Sequence, residues 1–174
     1  MRRSSGVMCS NCAKTAKIVS DSVYRFKESG LKNVFLVGIN TIRCPHCKNI
    51  DPIIPNLNGL MQTLAAAVAG KPYRLCGDEI RYLRKYLRMN GEQFANLLAA
   101  DKTSLSKWEN DDDVPGERTD RLIRAVTVGL GEGLQDHIAE IVRGFASIKG
   151  ALTEKFLKNL KYKLDPEKRT CEYA

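Results

Sequence analysis

Residues 90–110 read Asn-Gly-Glu-Gln-Phe-Ala-Asn-Leu-Leu-Ala-Ala-Asp-Lys-Thr-Ser-Leu-Ser-Lys-Trp-Glu-Asn, and this stretch decides how the second half of the chain folds. Asn90 and Asp101 each precede a run of helix formers, so each caps a short helix, over 91–98 and 102–110. Only a tight turn at Ala99 and Ala100 separates the two. Phe94, Leu98, Leu105 and Trp108 fall where two crossing helices share a corner, and Ala95 is small where the helices approach most closely. Lys102, Thr103, Ser106 and Lys107 are left on the outer face of the second helix. Most polar helix faces only meet water, but this one has the chemistry to read base edges. Lysine donates to guanine O6 and N7, and threonine offers a hydroxyl or touches a thymine methyl.

Helical patterning extends outward from this pair. Residues 57–69 are good helix formers stopped by Gly70 and Pro72, and read as a linker helix. Ile80, Leu83 and Leu87 give one apolar face, with Arg81, Arg84, Lys85 and Arg88 around it. A further helix is expected over 117–130, ended by Gly131-Glu-Gly133. Leu134, Ile138, Ile141, Val142 and Phe145 form an apolar stripe on the next one. With Leu122, Ile123 and Val126, that stripe either completes the monomer's core or joins two copies, and the pattern alone favours neither. Phe156, Leu157 and Leu160 keep helical spacing, and the tail loses pattern after Pro166.

The other informative stretch is N-terminal. Cys9/Cys12 and Cys44/Cys47 are two Cys-x-x-Cys pairs separated by 31 residues. Each pair grips one side of a metal ion from a tight turn, and two pairs supply the four thiolates of a closed, structural zinc site. His46 is an alternative ligand, but with four cysteines present it reads as a loop residue. The letters Cys44-Pro-His-Cys47 also occur in thiol-disulfide oxidoreductases. That chemistry needs a helix starting at the first cysteine, and Pro52 and Pro55 forbid one. Between the pairs, residues 23–27 and 34–42 are strand-like around a turn at Gly30 and Asn33. A segment this short buries little apolar surface, so zinc is expected to supply its folding energy. Cys76 and Cys171 read as ordinary residues.

Composition narrows the function classes. An apolar fraction of 43% suits a globular chain of 174 residues. No membrane span or signal peptide is apparent, so a cytoplasmic protein with reduced thiols is expected. The formal charge is +8, lowered to +6 by four thiolates and one zinc. Residues 1–50 hold nine Lys and Arg against two Asp and Glu, which suits a polyanionic partner. There is no Ser/His/Asp set, no carboxylate pair in an apolar context and no glycine-rich phosphate loop. His46 and His137 lie in different modules, and no enzyme is expected.

Residues 89–110, followed by Val114-Pro115, resemble the helix-turn-helix of phage-repressor-like (XRE-type) regulators, and Ile80-Arg-Tyr-Leu-Arg-Lys85 is similar to their first helix. Glu28-Ser-Gly-Leu-Lys-Asn-Val-Phe-Leu-Val-Gly-Ile39, followed by Cys44 and Cys47, resembles the zinc domain of MqsA-type antitoxins. The resemblance covers residues 9–130. It implies base reading by Thr103 and Lys107, and support of the reading helix by an Arg84–Glu109 pair beside Trp108; Gln93, at the start of the preceding helix, is a further candidate for DNA contact. The resemblance also implies a homodimer on a pseudo-palindromic double-stranded DNA operator. Ala99 stands where these regulators usually have glycine, and Gly91 where they often have a polar residue. The expected architecture is α+β, with a β-rich zinc domain (1–55), a linker helix (56–75), a repressor-like domain (76–130) and a C-terminal helix or tail (131–174). The expected function is a sequence-specific transcriptional repressor. The alternative is an antitoxin that neutralises a ribonuclease toxin and regulates its own operon.

Overall fold

The computed structural model describes residues 6–146 and 160–173. Among the described residues the architecture is α+β, with a mixed sheet and six α-helices. The strands are β1 (Val7–Met8), β2 (Thr15–Arg25), β3 (Val34–Arg43), β4 (Ile50–Ile53), β5 (Tyr162–Asp165) and β6 (Thr170–Tyr173). The helices are α1 (Leu57–Gly70), α2 (Gly77–Tyr86), α3 (Gly91–Leu97), α4 (Lys102–Glu109), α5 (Glu117–Leu130) and α6 (Ile138–Ala146).

Strands β2 and β3 form a long antiparallel hairpin, from Lys17 opposite Arg43 to Arg25 opposite Phe35. The other edge of β3 is shared. β4 pairs with its C-terminal end at residues 40–43, while β5 lies parallel to its N-terminal end at residues 34–36. Pro52 is tolerated in β4 because an edge strand can spare an amide. Val34 and Leu36 are buried before Gly38, Ile39 and Thr41 after it, so the in–out alternation shifts by one residue there. Gly38 has φ +68°, a left-handed conformation that glycine adopts without a Cβ clash.

Helix α1, expected as a linker helix, is central to the core. It packs on β5, β6, α2, α5 and α6, and Leu60, Leu64, Ala65, Val68 and Ala69 are all buried. One hydrophobic cluster runs from Phe26, Leu31, Val34, Leu36 and Ile39 of the hairpin through α1 to Ile80, Leu83, Phe94 and Leu105. The expectation that this N-terminal segment buries little apolar surface of its own is thereby corrected, since its hairpin shares the core of the helices. Most of the hairpin folds on the common core, and only a small satellite cluster of Ala16 and the four cysteines, with Ile42 against it, stands apart.

The C-terminal tail departs from expectation as well. Residues 162–173 form a hairpin that extends the sheet, because Tyr162 and Leu164 alternate inward beside Val34 and Leu36. Only two inward residues mark β5, too few to stand out in the sequence. Of the stripe after α5, Leu134 and Ile141 complete the core, while Ile138 and Val142 remain exposed. The Phe145 side chain, Phe156 and Leu157 lie outside the described residues.

Two buried ionic networks join the parts. Lys71 and Glu79, both nearly inaccessible, form an ion pair, and Glu79 also accepts from the Tyr162 hydroxyl and, at 2.8 Å, from the Cys76 amide. Arg124 and Asp120 pair at 2.6 Å, as buried as the first two. The Arg124 guanidinium also donates to the carbonyls of Ala69, Lys71 and Tyr73, and Asp120 accepts from the Leu75 amide. Buried charges are tolerable only with such complete satisfaction. No helix among the described residues is long and apolar enough to cross a membrane.

Candidate functional site

Two constellations carry chemistry: the four N-terminal cysteines, and the α2–α3–α4 unit.

The cysteine turns are built alike. In the first, the Cys9 amide donates to the Lys14 carbonyl (2.9 Å) and the Ala13 amide to the Cys9 carbonyl (3.0 Å). In the second, Cys44 donates to Asn49 (2.9 Å) and Lys48 to Cys44 (3.1 Å). Ala13 and Lys48 both occupy the left-handed region, at φ 55° and 62°. The antiparallel ladder of β2 and β3 then brings the turns face to face. Cys9 Sγ lies 3.5 Å from Cys47 Sγ, Cys12 Sγ 3.5 Å from Cys44 Sγ, and all four sulfurs lie within 4.8 Å of one another. Tetrahedral sulfurs around zinc, at the usual bond length of about 2.3 Å, stand about 3.8 Å apart. The arrangement is compatible with a metal site.

The thiols are not electrostatically equivalent. The Asn49 amide holds Cys47 down to about 6, and the Cys47 amide lowers Cys44. Cys12 is pushed up to about 12, because burial and the facing thiols outweigh the Lys14 amide. A cation seated between the four sulfurs would favour their thiolate forms. Outside the ligands, Ser10 donates to Asp51 (2.6 Å), and Asn49 donates to both Asp51 (2.9 Å) and Ser10 (3.2 Å), clasping one turn to the other. The sequence does not single out this clasp, since Ser10, Asn49 and Asp51 are ordinary polar turn residues. His46 is exposed and stands outside the sulfur cluster.

In the helical unit, Asn90 accepts from the Gln93 amide (2.9 Å) while the Gln93 side chain accepts from the Asn90 amide (2.9 Å). This reciprocal cap occupies the Gln93 carboxamide oxygen and leaves its NH2 group outward. Asp101 caps α4 through the Ser104 amide (2.8 Å) and hydroxyl (2.6 Å), which hold its carboxyl below the usual carboxylate range. Phe94, Ala95, Leu98 and Leu105 are buried between the helices, and half-buried Trp108 packs against them. Lys102, Thr103, Ser106 and Lys107 are exposed.

The far end of α4 is held by two cations. Arg84 makes a bidentate pair with Glu109, Nε to Oε1 at 2.6 Å and Nη2 to Oε2 at 2.9 Å. Arg81, absent from the sequence expectation, donates to the Glu109 carbonyl and to Asn110 Oδ1, both at 2.7 Å. Cations at a helix C-terminus are favourable. Gly77 starts α2 against this end, where a Cβ would stand 2.6 Å from the Trp108 and Glu109 carbonyl oxygens.

Between α3 and α4, Ala99 has φ 51°, a conformation that costs a residue with a Cβ about 1–2 kcal/mol. Ala99→Gly is expected to stabilise the protein by about 1 kcal/mol, raising Tm by roughly 2–4 °C for a chain of this size. An unchanged or lower melting temperature would show that the turn is not strained. Compared with known protein families, curated proteins and solved structures, the chain finds no match.

Proposed function

We propose that this chain is a sequence-specific DNA-binding transcriptional regulator, a repressor, with one structural zinc ion. In this reading α3 and α4 are a helix-turn-helix and α4 enters the major groove. The observation that carries it is the division of α4 into two faces. Leu105 and Glu109 are buried against the other helices, while Lys102, Thr103, Ser106 and Lys107 stay in solvent. The Arg84–Glu109 clamp holds that face in place.

Thr103 and Lys107 are the base-reading pair, and the outward amide of Gln93 is a donor for a phosphate. Two copies related by a two-fold axis would present two α4 helices to half-sites one helical turn apart. Exposed Leu122, Leu130, Ile138 and Val142 on α5 and α6 offer the apolar surface for that contact.

Replacing Thr103 and Lys107 together by Ala is the test. Genomic fragments selected by the native chain are footprinted with both proteins. The double variant is expected to lose the footprint while keeping the native circular dichroism and melting temperature. An unchanged footprint would remove α4 from the reading role.

Zinc is the ion that suits four thiolates in a closed set. Metal analysis is expected to return about one zinc per chain. Chelation is expected to loosen the cysteine turns but preserve most of the helical signal, since the hairpin's inner residues belong to the common core. Complete unfolding on chelation would place the folding energy in the metal after all.

A further inference from the structure

The positive charge of this chain is not where α4 is. Residues 76–130 carry nine Lys and Arg against ten Asp and Glu. Five of the nine, Arg81, Arg84, Arg88, Arg121 and Arg124, already face carboxylates. Duplex DNA carries about one negative charge per 1.7 Å, and much of the affinity of its ligands comes from counterions released at neutralised phosphates. A unit without net positive charge supplies little of that term.

Among the described residues, the surplus lies on the sheet and its turns, where residues 6–55 hold seven Lys and Arg against three Asp and Glu, and residues 160–173 four against three. Part of it is answered locally. Lys14, Lys17, Arg43 and Lys48 flank the four cysteines in the chain, and four thiolates around a divalent ion leave two negative charges. The opposite end of the sheet has no such anion.

There, Arg25, Phe35, Lys163 and Glu172 form one row across β2, β3, β5 and β6. The adjacent rows, with Leu36 beside Leu164 and Val34 beside Tyr162, face the core. This row therefore points outward, and Arg25, Lys163 and neighbouring Lys161 are exposed. Two of these cations are held by neutral groups. Arg25 donates twice to the Lys32 carbonyl (3.3 and 3.0 Å), and the Lys161 ammonium sits 5.8 Å from the Phe35 ring centroid. A carbonyl and an aromatic face orient a cation without cancelling its charge. Glu172 is the row's one carboxylate.

We infer that this outer sheet row is a second nucleic-acid surface, which takes the phosphates of duplex DNA while α4 reads the bases. Arg25, Lys161 and Lys163 supply the electrostatic attraction that residues 76–130 lack. The inference rests on the proposed reading of α4 and deepens it. Phosphate contacts of this kind position the protein without specifying sequence.

The test uses the full-length, metal-loaded chain, a fixed random-sequence DNA duplex and a selected genomic fragment. Arg25, Lys161 and Lys163 are replaced together by Gln, and binding is measured across a salt series. The slope of log affinity against log salt is expected to become shallower by about 2 to 3, at about 0.9 per lost phosphate contact. Between 50 and 200 mM salt the variant should then lose about 40-fold less affinity than the native chain. Both DNAs should be affected alike, with the footprint pattern kept. Glu172→Lys, at an exposed position, should steepen the slope.

An unaltered slope in both variants overturns the surface but leaves the α4 reading intact. Loss of the footprint only in the Thr103 and Lys107 double variant upholds that reading separately. A native chain that binds neither DNA overturns both. Single-stranded oligonucleotide that displaces the duplex from this row at equal concentration overturns the assignment to duplex phosphates.

Discussion

Truncation of the chain after residue 159 is expected to unfold it. The removed segment carries Leu160, Tyr162 and Leu164, none more than 8% exposed. Burying side chains of this size contributes about 1.5–3 kcal/mol each. Tyr162 also donates to Glu79, so its loss leaves one oxygen of a buried carboxylate unsatisfied, at about 1–3 kcal/mol. The sum is comparable with the whole stability of an ordinary domain, about 5–15 kcal/mol. Without β5 and β6, the edge of β3 and the sheet face of α1 also meet water. The truncated chain should lack a cooperative thermal transition and its near-ultraviolet Trp108 signal. Retention of a native-like melt would mean that the C-terminal hairpin is an accessory to the sheet. Tyr162→Phe isolates the hydroxyl, and a loss of about 1–3 kcal/mol is expected from it alone.

Asp120→Ala is the single substitution with the largest expected effect. It strands the Arg124 guanidinium, fully buried, beside a Leu75 amide that has lost its acceptor. Removing one partner of a buried pair typically costs about 3–5 kcal/mol. At roughly 2–4 °C per kcal/mol for a chain of this length, Tm should fall by about 6–20 °C. Replacing Asp120 and Arg124 together by apolar residues is not expected to restore stability fully. Arg124 also serves the carbonyls of Ala69, Lys71 and Tyr73, which terminate α1 and lead to α2. Those acceptors have no intrahelical donor of their own. A double variant as stable as the native protein would show that water serves these carbonyls equally well.

These two effects come from contacts that the amino-acid order does not advertise. Lys71 and Arg124 look like surface cations, one beside a proline and the other on an amphipathic helix. Nothing local distinguishes them from Lys85 or Arg88, which are exposed. Their partners are set by how α1, α2 and α5 cross, a property of the assembled core. Thr170–Tyr173 is similarly unreadable, because a four-residue edge strand carries only two residues per face.

The capped helices behaved otherwise. The bounds of α1, α3, α4 and α5 fall within a residue or so of expectation, because caps and glycine breaks act through neighbouring backbone groups. Asn90 and Asp101 accept from the amides three residues on, as short polar side chains do before any helix. The Arg84–Glu109 pair was expected from resemblance and is present; Arg81, on the same helix end, was not.

Four cysteines in two tight turns, two short capped helices with a polar outer face, and an α+β order were written in the sequence itself. Each depends on residues a few positions apart, where chain geometry leaves little choice. Only the tertiary structure decided that hairpin, central helix and helical unit share one core, and that the last strands return to the first sheet. Those outcomes rest on burial of small apolar faces and on buried ion pairs between residues tens of positions apart, and such terms exist only once the chain has closed upon itself.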